Sequence, residues 1–312
     1  MDNRIYSNHM IKNLRAHFEK NKFKYISYPK FVFLCGKAYE NEEYYSTNRG
    51  TIQKYITAQN DDIFFVLSEK LWDDTYNSDI DLLTFEEFLA EISDVIIIFV
   101  ESAGSYSELG AFSYADKLFN KKLILVIDNK YRYSKSFIMT GPVAKAQNNG
   151  AKVVYAPLYN NGLLSSSELR STVGKIIEKF QLKNSAINKR NINTDANKVL
   201  INSFVLELLE IIKITQPIMR SDLIELYKKI KSFTHFTFVK SDGEKFNKEI
   251  RYDYILKLLK IVGLIEIDNN IITTEYYKKI PSFMLKFYGN GADIERNNLI
   301  CRKYRYKGND GK

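Results

Sequence analysis

The stretch DVIIIFVESAGSYSELGAFS, residues 94–113, decides how this chain is read. The apolar run Val95 to Val100 is too short to cross a membrane. It is also too continuous for a strand with one wet face, so it reads as a strand covered on both sides. It runs straight into a polar, small-residue segment. In an open α/β sheet, ligands bind beyond the carboxyl ends of the strands, which makes this junction the first place to look for chemistry. Gly104 permits a tight turn and close backbone approach, and Ser105 is placed to cap a helix. The first amides of that helix would face a phosphate or a ribose oxygen, with Glu108 one turn in, on the lip of the crevice.

Two readings of Glu108 stay open at this point. Ser105 and Glu108 have the S-x-x-E spacing of a capping box, in which the glutamate only bonds back to the cap amide. Other features favour chemistry. Gly110 and Ala111 are small enough to let the helix pack closely, and Glu101 adds a second carboxylate at the strand end. A carboxylate beside an anomeric carbon can act as nucleophile or stabilise an oxocarbenium-like transition state, and a second can assist water or leaving group.

Working outward, the same kind of apolar run recurs as FVFLC (31–35), IFFVL (63–67), LILVI (123–127) and KVVYA (152–156). Leu82, Leu83, Phe85, Phe88, Leu89 and Ile92 fall at helical spacing between the second run and the third. This alternation predicts an α/β fold, a doubly wound parallel sheet of Rossmann-like type. A last helix is expected over 166–182, closing a first domain at 1–182. The Asn-rich segment 183–197 reads as a linker. Beyond it, helical patterns near 198–213, 221–231 and 248–261 precede two β-branched runs around Asp268-Asn269-Asn270, a hairpin signal. Three helices and a hairpin predict a winged helix-turn-helix domain over 198–290, followed by a basic tail, 291–312.

The 312 residues carry a net charge of +9, with 45% hydrophobic and 27% charged residues, which fits a folded chain with affinity for polyanions. The 22 Tyr and 20 Phe are compatible with stacking on bases as well as with core filling. Cys35 and Cys301 provide no disulfide framework, so a reducing cytoplasm is expected. Cys35 itself reads as a small buried residue. His9, His17 and His235 lack metal-ligand spacing, and no metal site is expected. The N-terminus has no continuous apolar core of the signal-peptide kind, and no membrane span is expected. Lys121, Lys122, Lys130, Arg132 and Lys135 flank the 123–127 run as solvated lysines or as a phosphate-receiving cluster. Trp72, the single tryptophan, is expected partly buried in the core, with stacking on an adenine or nicotinamide as the other reading.

The block DVIIIFVESAGSYSELGAFS, followed by NKKLILVIDNKY and SFIMTGPV, closely resembles the nucleoside 2-deoxyribosyltransferase-like effector proteins of retrons. KFVFLCG (30–36) and SEKLWDDTY (68–76) resemble that family's first-strand and second-strand loops. The resemblance covers about 25–145, and the order of domains agrees. It implies that Glu108 is the catalytic glutamate of an ELGA motif and that Ser102, Gly104 and Ser105 shape the sugar pocket. It also implies that Asp73 or Asp74, with Gly36, contacts the ribose or base. The implied activity is N-glycosidic cleavage, with NAD+ as substrate and no separate cofactor. The implied partners are a retron reverse transcriptase and its RNA-linked single-stranded DNA (msDNA), in bacterial anti-phage defence. Self-assembly is also implied.

There is one departure. Deoxyribosyltransferases hold the nucleobase with an aspartate six residues before the catalytic glutamate. That position is Ser102 here, and the acid, Glu101, comes one residue earlier. This weakens nucleoside exchange more than glycosidic cleavage. Two other activities are compatible with the sequence: cleavage of a nucleoside, nucleotide or DNA base, and non-catalytic nucleotide sensing coupled to a winged-helix regulator.

Overall fold

The computed structural model describes residues 30–37, 45–60, 62–72, 80–114, 121–160, 165–181, 197–246 and 249–275, together with residues 8, 11, 12, 14 and 15. The chain divides into two compact units. One is Pro29–Arg190; the other combines Met1–Tyr28 with Asn191–Lys312. The N-terminal stretch, expected with the first domain, therefore belongs to the second unit. Leu14 is buried, and Arg15 donates to the carbonyls of Ile230 (3.1 Å) and Lys229 (2.7 Å).

The Pro29–Arg190 unit is built on five strands: β1 (Lys30–Cys35), β2 (Ile63–Val66), β3 (Val95–Phe99), β4 (Leu123–Asp128) and β5 (Lys152–Ala156). They pair in the order β2-β1-β3-β4-β5, every pair parallel. The helices are α1 (Asn48–Thr57), α2 (Ser68–Trp72), α3 (Leu82–Ile92), α4 (Ala103–Tyr114), α5 (Ala144–Asn148) and α6 (Ser166–Gln181). Ile52 and Ile56 of α1 and Val173 and Ile176 of α6 pack on Val32, Leu34, Ile97 and Val126. Strand residues of the other parity face the opposite way. Phe33 meets Phe112 of α4 edge-on at 6.1 Å. The expected doubly wound α/β sheet is thus present, and its continuous apolar runs reflect burial on both faces.

In the second unit, β6 (Lys198–Leu200) leads into α7 (Ile201–Thr215). Then come β7 (Ile218–Met219), α8 (Arg220–Lys231), β8 (Thr237–Val239), α9 (Tyr252–Ile261) and the hairpin β9 (Glu266–Asp268) and β10 (Ile271–Thr273). The helix expected from 198 begins three residues later, because 198–200 pair in parallel with β8. β10 lies between β9 and β7, antiparallel to both. The hairpin turn uses Asn269 and Asn270 at φ 47° and 65°, the left-handed region that asparagine tolerates. Phe204, Tyr227, Phe236 and Phe238 stack on one another, with Phe204 at 4.7 Å from Tyr227 and 4.8 Å from Phe238. Of these, Phe204, Tyr227 and Phe238 are buried core residues.

The predicted linker, apart from Asn197, and the predicted tail lie outside the described residues. Among the described residues, no helix is long and apolar enough to cross a membrane.

Ile97 is wholly buried at the centre of β3, whereas Leu83 is 60% exposed on α3. Denaturant unfolding should show Ile97→Ala losing about 3 kcal/mol. Leu83→Ala should stay within about 0.5 kcal/mol of the parent.

Candidate active site

The strand order reverses between β1 and β3, because the helices that follow them lie on opposite faces. A crevice opens at such a point beyond the carboxyl ends of the two strands. Gly36 ends β1 here. A Cβ at this position would sit 3.1 Å from Phe99 Cβ and 3.2 Å from Arg49 Cδ, so a larger residue must displace the neighbouring strand or the arginine stem.

At the end of β3, Glu101 is held from several sides. Its Oε2 accepts from Asn48 Nδ2 at 2.7 Å, and its Oε1 accepts from the Lys37 amide at 3.4 Å. Asn48 also donates to the Tyr159 carbonyl (2.9 Å) and accepts from the Tyr159 amide (3.3 Å). Asn48 thereby ties the start of α1 to the β3 terminus and to the segment after β5. Thr47 caps that helix by accepting from the Gly50 amide.

The cap of α4 differs from the sequence expectation. Ser102, not Ser105, is the N-cap: its hydroxyl accepts from the Ser105 amide at 3.2 Å, and its carbonyl accepts from the Tyr106 amide at 3.0 Å. The Ser105 hydroxyl returns the interaction by accepting from the amides of Ser102 (2.9 Å) and Glu101 (3.0 Å). This is the reciprocal geometry of a capping box, closed by two serines. The capping role considered for Glu108 is therefore already filled. Gly104 also departs from expectation. It lies within the first turn of α4, exposed, and makes no turn of its own. Gly110 borders open space, so it is not there for close packing.

Glu108 lies one turn after Ser105, beside the inward positions Leu109 and Phe112 of α4. Its Oε2 is buried with no hydrogen-bond partner among the described residues. The Cys35 thiol donates to its carboxyl group. Burial, reinforced by the negative charges of Glu86 and Glu69 and opposed by Arg49, pushes its pKa up to about 8. Burial likewise raises Glu86 to about 7, although the Ser68 hydroxyl partly counters this. Burial and the nearby Glu108 carboxylate push the Cys35 thiol well above its ordinary value, so it remains an inert thiol. Arg49 is 2% exposed, ion-paired through Nη2 with Glu69, and donates through Nη1 to the Leu34 carbonyl at 3.4 Å.

The structure brings together Gly36, Glu101, Ser102 and Ser105 at the ends of β1 and β3, with Glu108 one turn further along α4 and Gly104 exposed in its first turn. Asp73 and Asp74 lie outside the described residues. The basic cluster disperses: Lys122 donates to the carbonyls of Ala90 (3.4 Å) and Glu91 (2.9 Å), Lys130 pairs with Asp128, and Arg132 lies over the Tyr155 ring. Asn48, Arg49, Glu69 and Glu86 were not anticipated. A signal for Arg49 existed, since it shares the i, i+3, i+7 stripe with Ile52 and Ile56, where a charge is out of place.

The family model of the STM3845 retron effector protein matches residues 45–267, well over half of the chain. The chain belongs to this retron effector family. Two relatives from Escherichia coli carry names, provisional in both cases, that describe a ribosyltransferase/DNA-binding protein. The protein of retron Ec86 is 35% identical over 156 residues, covering 49% of this chain and 49% of that relative. The protein of retron Ec73 is 30% identical over 241 residues, covering 68% of this chain and 70% of the relative. The chain thus spans about half the length of the first relative. A solved thermophilic tryptophan halogenase from Streptomycin violaceusniger superposes with a TM-score of 0.30 at 14% identity, over 48% of this chain and 97% of that one. Neither fold nor chemistry carries over at that level. In this retron effector the family match begins after β1, Gly36 and Lys37 and includes Asn48, Arg49, Glu101 and Glu108.

A carboxyl group whose native pKa lies above its unfolded value binds extra protons in the folded state. Its stabilising contribution is complete below the ordinary carboxylate range and is lost as the pH rises through the native value. Glu108→Gln should therefore be more stable than the parent at alkaline pH. Its Tm advantage should widen from about pH 5 to about pH 8.5 and reach about 3 °C or more. A pH-independent offset in thermal unfolding would contradict the burial of an ionisable Glu108.

Proposed function

We propose that this retron effector is an N-glycosidase that hydrolyses NAD+ to ADP-ribose and nicotinamide through Glu108. We further propose that this activity makes it the toxic arm of a retron anti-phage system. The observation that carries the reading is the Glu108 carboxyl: its Oε2 is buried without a hydrogen-bond partner among the described residues, and Ser102 and Ser105 already fill the capping role.

Chemically, ionised Glu108 forms a bond to C1′ of the nicotinamide riboside, or stabilises positive charge there. The C1′–N bond breaks with its electron pair going to the pyridine nitrogen, which leaves as neutral nicotinamide. A pyridinium leaving group needs no proton, which removes the need for a strong general acid. Water then adds to C1′, giving ADP-ribose and releasing one proton, and Glu108 returns as a carboxylate. Glu101, fixed by Asn48 and the Lys37 amide, is placed to bind the sugar hydroxyls, with Gly36 leaving room for backbone approach. Ser102 in place of the base-binding aspartate supports hydrolysis over nucleoside exchange.

A raised Glu108 pKa suits a cationic substrate. Free enzyme near neutrality holds the proton, and an incoming pyridinium favours the carboxylate, so binding and deprotonation are coupled. Since the carboxylate is the reactive form, kcat/KM for NAD+ should rise with pH to a midpoint near about 8. The midpoint of kcat should lie lower.

The three helices α7, α8 and α9 followed by a hairpin in the second unit, with β7 paired to the hairpin strand β10, support reading it as a winged-helix module, to which the paired strands β6 and β8 are an addition. With the reverse transcriptase and its msDNA as partners, we assign it to restraint of the enzyme. The expected assembly is a complex with low NAD+ turnover.

Purified protein should convert NAD+, followed by mass spectrometry beside deoxynucleosides and single-stranded DNA. Glu108→Gln, matched for folding, should lose roughly 100-fold or more of the activity. Undiminished turnover by that variant overturns the mechanism, and base release from DNA but not NAD+ overturns the substrate.

A further inference from the structure

Asn48 opens α1 at 3% exposure, and both ends of its side-chain amide are engaged. A buried amide left unmatched is costly, so its partners explain its presence. Oδ1 accepts from the Tyr159 amide at 3.3 Å, and Nδ2 donates to the Tyr159 carbonyl at 2.9 Å. This two-point grip on one residue's backbone fixes which way the amide faces. The remaining Nδ2 hydrogen is left to point at Glu101 Oε2, 2.7 Å away. Glu101 is fixed at its backbone as well, since its amide donates to the Ser105 hydroxyl at 3.0 Å. Its Oε1 accepts from the Lys37 amide at 3.4 Å and lies 3.4 Å from where a Cβ on Gly36 would sit. Both carboxylate oxygens are thus acceptors of set direction, and one of them borders the position that a side chain on Gly36 would occupy.

We propose that Asn48 is a positioning residue that holds Glu101 as the acceptor for the vicinal hydroxyls of a ribose, so that the site selects ribosides over 2′-deoxyribosides. The inference rests on the N-glycosidase reading of the crevice and deepens it by naming the sugar. A carboxylate only accepts, and neighbouring hydroxyls donate, so a carboxylate held still is complementary to a ribose diol. A 2′-deoxyriboside in the same place leaves a Glu101 oxygen desolvated without a donor. A site built to bond a hydroxyl discriminates against the analogue that lacks it. The geometry calls for asparagine. Aspartate has the same shape, but it would keep only the bond from the Tyr159 amide and would set a second carboxylate against Glu101. If Asn48 only knitted α1 to the chain after β5, its loss would cost stability and weaken both kinds of sugar alike.

The test uses the full chain carrying Glu108→Gln, so that binding is read without turnover. Calorimetry compares NAD+ with its analogue lacking the 2′-hydroxyl of the nicotinamide ribose, and thermal unfolding gives the Tm of each variant. With Asn48 and Glu101 in place, NAD+ should bind roughly tenfold or more tightly than the deoxy analogue. Adding Glu101→Gln, which keeps the shape but removes the charge, should abolish most of that preference. Asn48→Asp should lower the Tm and abolish the preference as well. Asn48→Ala removes the donor without adding a charge and takes its place if Asn48→Asp does not fold. Equal binding of the two dinucleotides before these changes overturns the proposal, and so does a preference that survives loss of Asn48 or of the Glu101 charge. If NAD+ does not bind, the NAD+ reading fails by itself, and adenosine against 2′-deoxyadenosine, measured in the same way, decides the sugar. Binding of neither nucleoside then overturns the proposal too.

Discussion

Two neighbouring parallel strands whose following helices leave for opposite faces form the constraint on which the crevice depends. β1 hands the chain to α1 on one face, and β3 hands it to α4 on the other. Gly36 sits at the end of β1 against Phe99 and the Arg49 stem. Arg49, from the helix of one face, is ion-paired with Glu69 of α2. Asn48 draws Glu101 and the chain after β5 to the same edge. The site is a consequence of sheet topology before it is a set of side chains.

The same topology creates a conflict. Among the described residues, helices α2, α3 and α4 carry the Glu69, Glu86 and Glu108 carboxylates into one neighbourhood that disfavours charge. Placing them there costs stability, and the fold tolerates the cost by holding protons on Glu108 and Glu86 near neutrality.

Much of this was legible in the sequence, for physical reasons. Parallel strands buried on both faces produce unbroken apolar runs, and all five were visible. The Asn269-Asn270 turn announces itself because few other residues adopt positive φ. Glu108 drew attention through its place at a strand end. Its surroundings were harder to read. A Ser-x-x-Ser cap mimics the capping box with Glu one step out of register, which is why Ser105 and Glu108 read as cap partners. Arg49 and Glu86 lie on or beside apolar stripes, where a single charge looks like an interruption of the pattern. Only the fold shows that they interrupt the pattern at one point in space. The tie of Arg15 to the end of α8 spans more than two hundred residues, and no local pattern encodes it.

The central claim is that Glu108 sits as a buried carboxyl group, its Oε2 without a hydrogen-bond partner among the described residues, at the β1/β3 crevice. Isotope-edited infrared spectroscopy across a pH titration, with Glu108→Gln as the blank, reads its protonated carbonyl stretch directly. The account predicts a stretch that persists through neutrality and disappears with a midpoint near about 8. Loss of that stretch in the ordinary glutamate range, near 4.5, would contradict it.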